Sequence, residues 1–265
     1  MKYFGLIGYP LKNSLSVNYF NEKFKSLNLD DYVYENLPIK HIEDILLMID
    51  HNKDLYGLNI TIPYKVSIIN YLDEIDESAK VVGAVNCVKI IRSHQSTDAS
   101  RQLTEKKNYK LIGFNTDVYG FEKSLLSFLN NEKKVDRALI LGTGGASKAV
   151  AYVLKKLAIE FTFVTSNRKS QIDAHRYLTY EMLNQHILNE NHLIINCTPV
   201  GMFPNENESP NIPYQYISPD HFAFDLIYLP PETLFLKRIR EQGALTKNGL
   251  EMLHLQADKA WEIFQ

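Results

Sequence analysis

The sequence predicts an α/β protein built from two α/β domains, and three observations predict it. Short apolar runs of strand length alternate with segments of helical apolar spacing along most of the 265 residues. A glycine-rich turn joins one such strand to one such helix, and polar clusters close several of the other strands. Strands alternating with helices imply parallel sheet covered on both faces. The composition suits this class: 45% hydrophobic and 23% charged residues describe a globular chain long enough for two modest cores.

In order along the chain, Tyr3–Ile7 reads as a strand and Val17–Leu27 as a helix. Tyr32–Asn36 reads as a strand, Ile42–Ile49 as a helix and Gly57–Thr61 as a third strand ending at Pro63. Ala84–Ile91 and Lys110–Gly113 read as paired strands joined by the polar loop Arg92–Asn108. Val118–Asn130 has the spacing of an amphipathic helix. Ala138–Leu141 is a strand, followed by the glycine-rich turn and a helix to about Leu157. Phe161–Thr165, Leu193–Asn196 and Phe222–Ile227 are further strands, and Leu250–Phe264 is a closing helix. This divides the chain at about residue 115, with a second domain over 116–240.

Charge and cysteine content exclude several function classes. The formal net charge of -2 supplies no basic field for nucleic acid or an anionic membrane surface. No apolar run approaches the roughly 18–20 residues of a membrane span. Met1–Gly8 runs directly into the turn Gly8-Tyr9-Pro10 and reads as a strand rather than a secretion signal. Cys87 and Cys197, the only cysteines, lie in apolar segments and read as reduced thiols of a cytoplasmic protein. None of the eight histidines has metal-ligand spacing beside a carboxylate, so no metal is expected.

Gly142-Thr143-Gly144-Gly145-Ala146-Ser147 follows a strand and opens a helix. Glycines there allow a tight turn and close approach of backbone to a pyrophosphate, which the helix N-terminus attracts. That is the arrangement of a Rossmann-like dinucleotide site, with Gly142, Gly144, Gly145, Ala146 and Ser147 as its phosphate-facing residues. The second strand of an NAD site ends in an acid that binds the ribose 2′-hydroxyl. Here the strand ends in Ser166-Asn167-Arg168-Lys169. Arg168 and Lys169 would attract a 2′-phosphate, and guanidinium matches its oxygens at two points. The cofactor predicted is therefore NADP. The alternative for Arg168 and Lys169 is an ordinary solvated charged loop.

Four polar clusters close the strands of the first half. They are Gly8–Ser16, Gly57–Lys65, Gly83–Val88 and Gly113–Asp117. Together they collect Ser, Asn, Thr, Lys and Asp, the mixture of donors and acceptors that a polyhydroxylated ligand needs. Lys65 and Asp117 are the candidates for proton chemistry. A surface lysine after a proline turn and a helix N-cap are their ordinary alternatives, and capping is compatible with catalysis. Ser14 and Ser16 lack a His–Asp partnership, so they are not read as nucleophiles.

These clusters, the glycine-rich turn, Ile195–Met202, Asp225–Pro230 and Asn248–Leu253 followed by Gln256 resemble the shikimate dehydrogenase family over essentially the whole chain. The resemblance implies NADP-dependent interconversion of 3-dehydroshikimate and shikimate, in aromatic amino acid biosynthesis. It implies that residues 241–265 return to complete the first, substrate-binding domain. Ser14 and Ser16, with Thr61, would hold the substrate carboxylate. Asn59, Asn86, Asp117 and Gln256 would hold ring hydroxyls, and Tyr228 would close over the carboxylate side. Lys65 and Asp117 would form the catalytic pair. Thr198, Pro199, Val200 and Met202 would lie near the nicotinamide, with Gly249 also on the cofactor side. The partners implied are small molecules alone, on a monomer or homodimer.

This chain departs from the family's usual His-Ser-x-Ser-Pro and later His-Asn. Asn13 stands for the first His, Val17 for the Pro and Phe20 for the second His, while Asn21 is kept. Cys87 stands where Thr is common, and Lys169 where Thr is usual. The alternatives to the main reading are a dehydrogenase of broader quinate and shikimate specificity and a ligand-binding paralogue without catalysis. Arg168→Ala should weaken NADPH use far more than NADH use in steady-state kinetics; equal losses would remove Arg168 from the 2′-phosphate site.

Overall fold

The computed structural model describes residues 1–11, 15–92, 107–130, 135–166 and 177–265. The polar loop expected over Arg92–Asn108 falls mostly outside them, as do Ser14, Asn167, Arg168 and Lys169. The chain divides into two compact units, Met1–Thr116 with Ala257–Gln265, and Asp117–Gln256.

The first unit contains β1 (Lys2–Gly8), α1 (Leu15–Ser26), β2 (Tyr32–Pro38), α2 (Ile45–His51), β3 (Leu55–Ile60), β4 (Glu74–Ile75), α3 (Glu77–Val82), β5 (Cys87–Arg92) and β6 (Tyr109–Phe114). The helix expected over Ile42–Ile49 begins as a 3-10 turn, Ile42–Asp44, and continues as α2. α3 is set by its ends. Asp76 accepts the Ser78 N–H at 3.0 Å at the start, and Gly83 takes the left-handed conformation at the finish.

The sheet order is β2-β1-β3-β5-β6-β4. β1 is parallel to both β2 and β3, and β4 is parallel to β6. β5 alone runs against its neighbours β3 and β6. Alternate residues of β1 face opposite cores, as strand pleating requires. Tyr3 and Ile7 join a cluster with Ile45, Ile49 and Leu111. Phe4 and Leu6 join one with Phe20, Phe24, Tyr34, Trp261 and Phe264.

The second unit contains most of α4 (Thr116–Leu129), then β7 (Arg137–Leu141), α5 (Gly145–Lys156), β8 (Glu160–Thr165), β9 (Tyr177–Thr179), α6 (Gln185–Glu190), β10 (Leu193–Asn196), β11 (Phe222–Asp225), α7 (Leu234–Arg240) and β12 (Leu245–Lys247). α8 (Leu250–Phe264) starts in this unit and finishes in the first. All its strands are parallel in the order β12-β11-β10-β7-β8-β9. Counted from β7, that is the doubly wound order of dinucleotide folds. β12 pairs with β11, so residues 241–256 cluster with the second unit. Ala257–Gln265 clusters with the first unit.

Those last residues fill the aromatic core. Phe4 stacks on Phe264 at 5.3 Å and meets Trp261 edge-on at 5.7 Å. Gly57 of β3 gives Phe264 its space, because a Cβ there would strike the ring. Gly57→Ala should therefore lower unfolding free energy by about 1–3 kcal/mol in denaturant titration. An unchanged midpoint would mean that the Phe264 ring moves aside at no cost.

Candidate functional site

The topology of the first sheet gathers its polar clusters. Because β5 is reversed, its first residue lies at the edge where β3 and β6 end. Asn59 pairs with Cys87, and Cys87 with Phe114, in one row across the three strands. The polar residues just beyond these strand ends therefore converge. Asn86 is the hub. The Thr116 N–H donates to its side-chain oxygen at 2.7 Å, and its amide donates to Thr116 Oγ1 at 3.0 Å. Its carbonyl accepts from the Ile60 N–H at 2.8 Å and from Asn59 Nδ2 at 3.3 Å. Val85 N–H donates to the Lys65 carbonyl at 2.7 Å, tying the lysine's backbone to the same segment. Asn115 Nδ2 donates to the Ala84 carbonyl at 2.9 Å.

Asn86, Asn115 and Thr116 are buried. Buried amides and hydroxyls cost free energy unless hydrogen-bonded, so these reciprocal bonds hold the rim in one arrangement. Asn59, Thr61 and Lys65 are half-buried along that rim, and Ser16 is half-buried in the first turn of α1. The strand, turn and reversed strand thus bring Asn59, Thr61, Lys65 and Asn86 into one neighbourhood. Thr116 and Asn115 belong to the same network, members of the Gly113–Asp117 cluster to which no individual role was given. Their position directly after an apolar strand was the available signal.

Asp117 begins the second unit and is buried in the first turn of α4. The glycine-rich turn follows β7. Gly142 has φ 99°, and a side chain there would also press on Thr198 and the Cys197 backbone, so glycine is required on both counts. Gly144 and Gly145 have open space where a Cβ would stand. α5 starts at Gly145 with no side-chain cap and no acid in its first turn. Ser147 Oγ donates to the Gly144 carbonyl at 2.7 Å, bracing the turn. A helix start left open, with glycines facing free space, fits the pyrophosphate of a dinucleotide. Ser166 is exposed at the end of β8, the next strand.

The opposite side of this crevice follows β10. Thr198 donates both its N–H, at 3.0 Å, and its hydroxyl, at 2.7 Å, to Asn196 Oδ1. Asn196 Nδ2 donates in turn to Asp225 Oδ1 at 3.0 Å. Asp225 is fully buried and also accepts from Thr233 Oγ1 at 2.6 Å and the Ile227 N–H at 3.0 Å. The last of these bonds turns the chain and ends β11 before Ile227, where the strand was expected to finish. Burial pushes the Asp225 carboxyl up to about 6, against the lowering pull of its three donors. This Asp225–Asn196–Thr198 chain is not legible in the sequence, because its members lie up to 29 positions apart.

Met202 is exposed beyond Thr198, and Tyr228 is half-buried after β11, its phenol raised by burial. Gly249 is buried, and a side chain there would collide with the Leu226 carbonyl. Gln256 is half-buried on α8, packed where Gly120 lets α4 approach. Both cysteines are free thiols, one in each unit. No group of metal-ligating residues and no helix long and apolar enough to cross a membrane occurs among the described residues.

Comparison with known proteins matches residues 6–88 to the family model described as the shikimate dehydrogenase substrate binding domain. The NADP(+) shikimate dehydrogenase of Carboxydothermus hydrogenoformans is 37% identical over 97% of this chain and 89% of its own. A crystal structure of a shikimate dehydrogenase in complex with NADP+ superposes with a TM-score of 0.80 at 32% identity, over 100% of this chain and 90% of that one. The Thermus thermophilus enzyme, solved with NADP(H) and shikimate, gives 0.80 at 28% identity, over 100% and 94%.

The raised carboxyl of Asp225 carries a pH signature. Its folded value lies above the ordinary 3.8, so the folded state holds the proton more tightly. The stability this contributes is complete at low pH and is lost as pH rises from about 4 to about 6. Asp225→Asn should therefore gain on the parent chain by about 1–3 kcal/mol over that window and level off above it, read as the difference in thermal midpoints. Parallel profiles would show that Asp225 does not titrate there.

Proposed function

Since this chain belongs to the shikimate dehydrogenase family, we infer that it interconverts 3-dehydroshikimate and shikimate with NADP(H). The observation that carries this reading is similarity at 37% identity across nearly all of both chains. The first unit supports it with a rim of amides, hydroxyls and one lysine suited to a ring with several hydroxyls. The second supports it with an open, glycine-lined helix start at the switch point of a parallel sheet.

NADP(H), when bound, exchanges the hydride. In the reduction direction the substrate ketone becomes an alkoxide that must take up a proton. Lys65 is the donor and charge stabiliser, and Asp117 completes the pair. Ser14, Ser16 and Thr61 hold the carboxylate, with Tyr228 beside it. Asn59, Asn86 and Gln256 receive the ring hydroxyls. On the cofactor side, Gly142, Gly144, Gly145, Ala146 and Ser147 cradle the pyrophosphate. Ser166, Asn167, Arg168 and Lys169 take the 2′-phosphate, and Thr198, Met202 and Gly249 border the nicotinamide. Residues 1–115 with the C-terminal helix serve the substrate, and 116–240 the cofactor. The enzyme works in the cytoplasm as a monomer or homodimer.

The test is NADP⁺ reduction followed by absorbance with shikimate, then quinate, then NAD⁺ in place of NADP⁺. Turnover with shikimate and NADP⁺ is expected; activity with no pair would leave a ligand-binding paralogue. Positioned acid–base catalysis is worth about 10²–10⁴-fold. Lys65→Ala should lose kcat by at least about 10²-fold with a smaller change in shikimate affinity. Near-normal turnover would take Lys65 out of the mechanism.

A further inference from the structure

Tyr34 lies on β2, two strands away from Asn59 on β3. Its ring is fully buried. Its hydroxyl donates to Asn59 Oδ1 at 2.8 Å. The tyrosine is itself held from two directions by α1. Phe20 stacks on its ring at 4.2 Å between centroids with 6° between planes. Asn21 grips its backbone by a matched pair, donating to the Tyr34 carbonyl at 2.9 Å and accepting the Tyr34 N–H at 3.0 Å.

An asparagine side chain can present either its oxygen or its amide to a ligand, and the two faces have nearly the same shape. Here the oxygen accepts the proton of the buried Tyr34 hydroxyl. One N–H of Asn59 goes to the Asn86 carbonyl. The second N–H has no partner among the described residues. Flipping the amide would set Oδ1 against the Asn86 carbonyl and take from the buried Tyr34 O–H the oxygen it donates to. Burial, and secondarily the Cys87 thiol, raise the Tyr34 phenol well above its ordinary value, so it stays a donor throughout the working range.

We propose that Tyr34 is a positioning residue that fixes Asn59 as a hydrogen-bond donor, so that its remaining N–H is offered to an oxygen of the polyhydroxylated substrate. The assignment rests on the dehydrogenase reading above and deepens it. Tyr34 touches no substrate; it acts through Asn59. The same geometry gives Phe20 a purpose at a position where this chain departs from the family's histidine. A flat apolar ring backs the tyrosine and confines its hydroxyl to the Asn59 side.

The experiment is a double-mutant cycle read by calorimetric Kd for shikimate, on the full chain saturated with NADPH, with which shikimate cannot react. Tyr34→Phe should weaken shikimate by about 3–10-fold, the worth of one hydrogen bond, and leave NADP⁺ affinity unchanged. Asn59→Ala should weaken it further. In the Asn59→Ala background, Tyr34→Phe should have no additional effect. Additive losses, or an NADP⁺ affinity that falls in parallel, would overturn the assignment, because a merely structural tyrosine acts regardless of Asn59. Should Tyr34→Phe fail to fold, Phe20→Leu in both backgrounds reads the same coupling by loosening the ring. A parent chain that neither binds shikimate nor oxidises it with NADP⁺ would refute the dehydrogenase reading itself and this proposal with it.

Discussion

The reversal of β5 is the constraint on which the first unit's polar rim depends. In a wholly parallel sheet, the residue preceding a strand lies at the far edge from residues that follow its neighbours. Here Asn86, just before β5, bonds Asn59 and Ile60 at the end of β3 and Thr116 after β6. One antiparallel strand among parallel ones folds three chain segments onto one edge. The second unit reaches a comparable result differently. Its strands are all parallel, and the crevice forms between β7 and β10, whose connections leave in opposite directions.

Both sites are then stiffened by amides spent on protein rather than kept for ligand. Asn86 grips Thr116, Asn196 grips Thr198, and Asn21 grips Tyr34. In each, one side chain engages a backbone N–H that regular structure leaves unpaired at a strand or turn. Asparagine suits this work because it offers donor and acceptor on a short arm. A binding rim whose polar groups already have fixed partners loses little freedom when a ligand arrives.

Much of the fold was legible because its longer elements keep a clear period. Leu193–Asn196 and Leu250–Phe264 have the bounds their apolar spacing implies. The short elements left no such trace. β9 and β12 have three residues each and β4 has two, too few for alternation to register. α3 was readable by its caps, Asp76 and Gly83, though not by its six-residue core. The site was legible as residue types at strand ends and illegible as partnerships. Tyr34 and Asn59 are 25 positions apart, and Asn196 and Asp225 are 29. No spacing rule links them, because strand order in the sheet, not sequence distance, makes them neighbours.

The ninefold stretch Ala257–Gln265 supplies Ala257, Ala260, Trp261 and Phe264 to the core that also holds Phe4, Phe20 and Tyr34. Phe4 thus packs against Phe264, 260 positions later along the chain. During synthesis, the aromatic face of β1 and β2 waits uncovered while the second unit is translated, although the strands of the first sheet have already been made. Closure of that core is deferred until Ala257–Gln265 has been made, after every described strand of the second sheet.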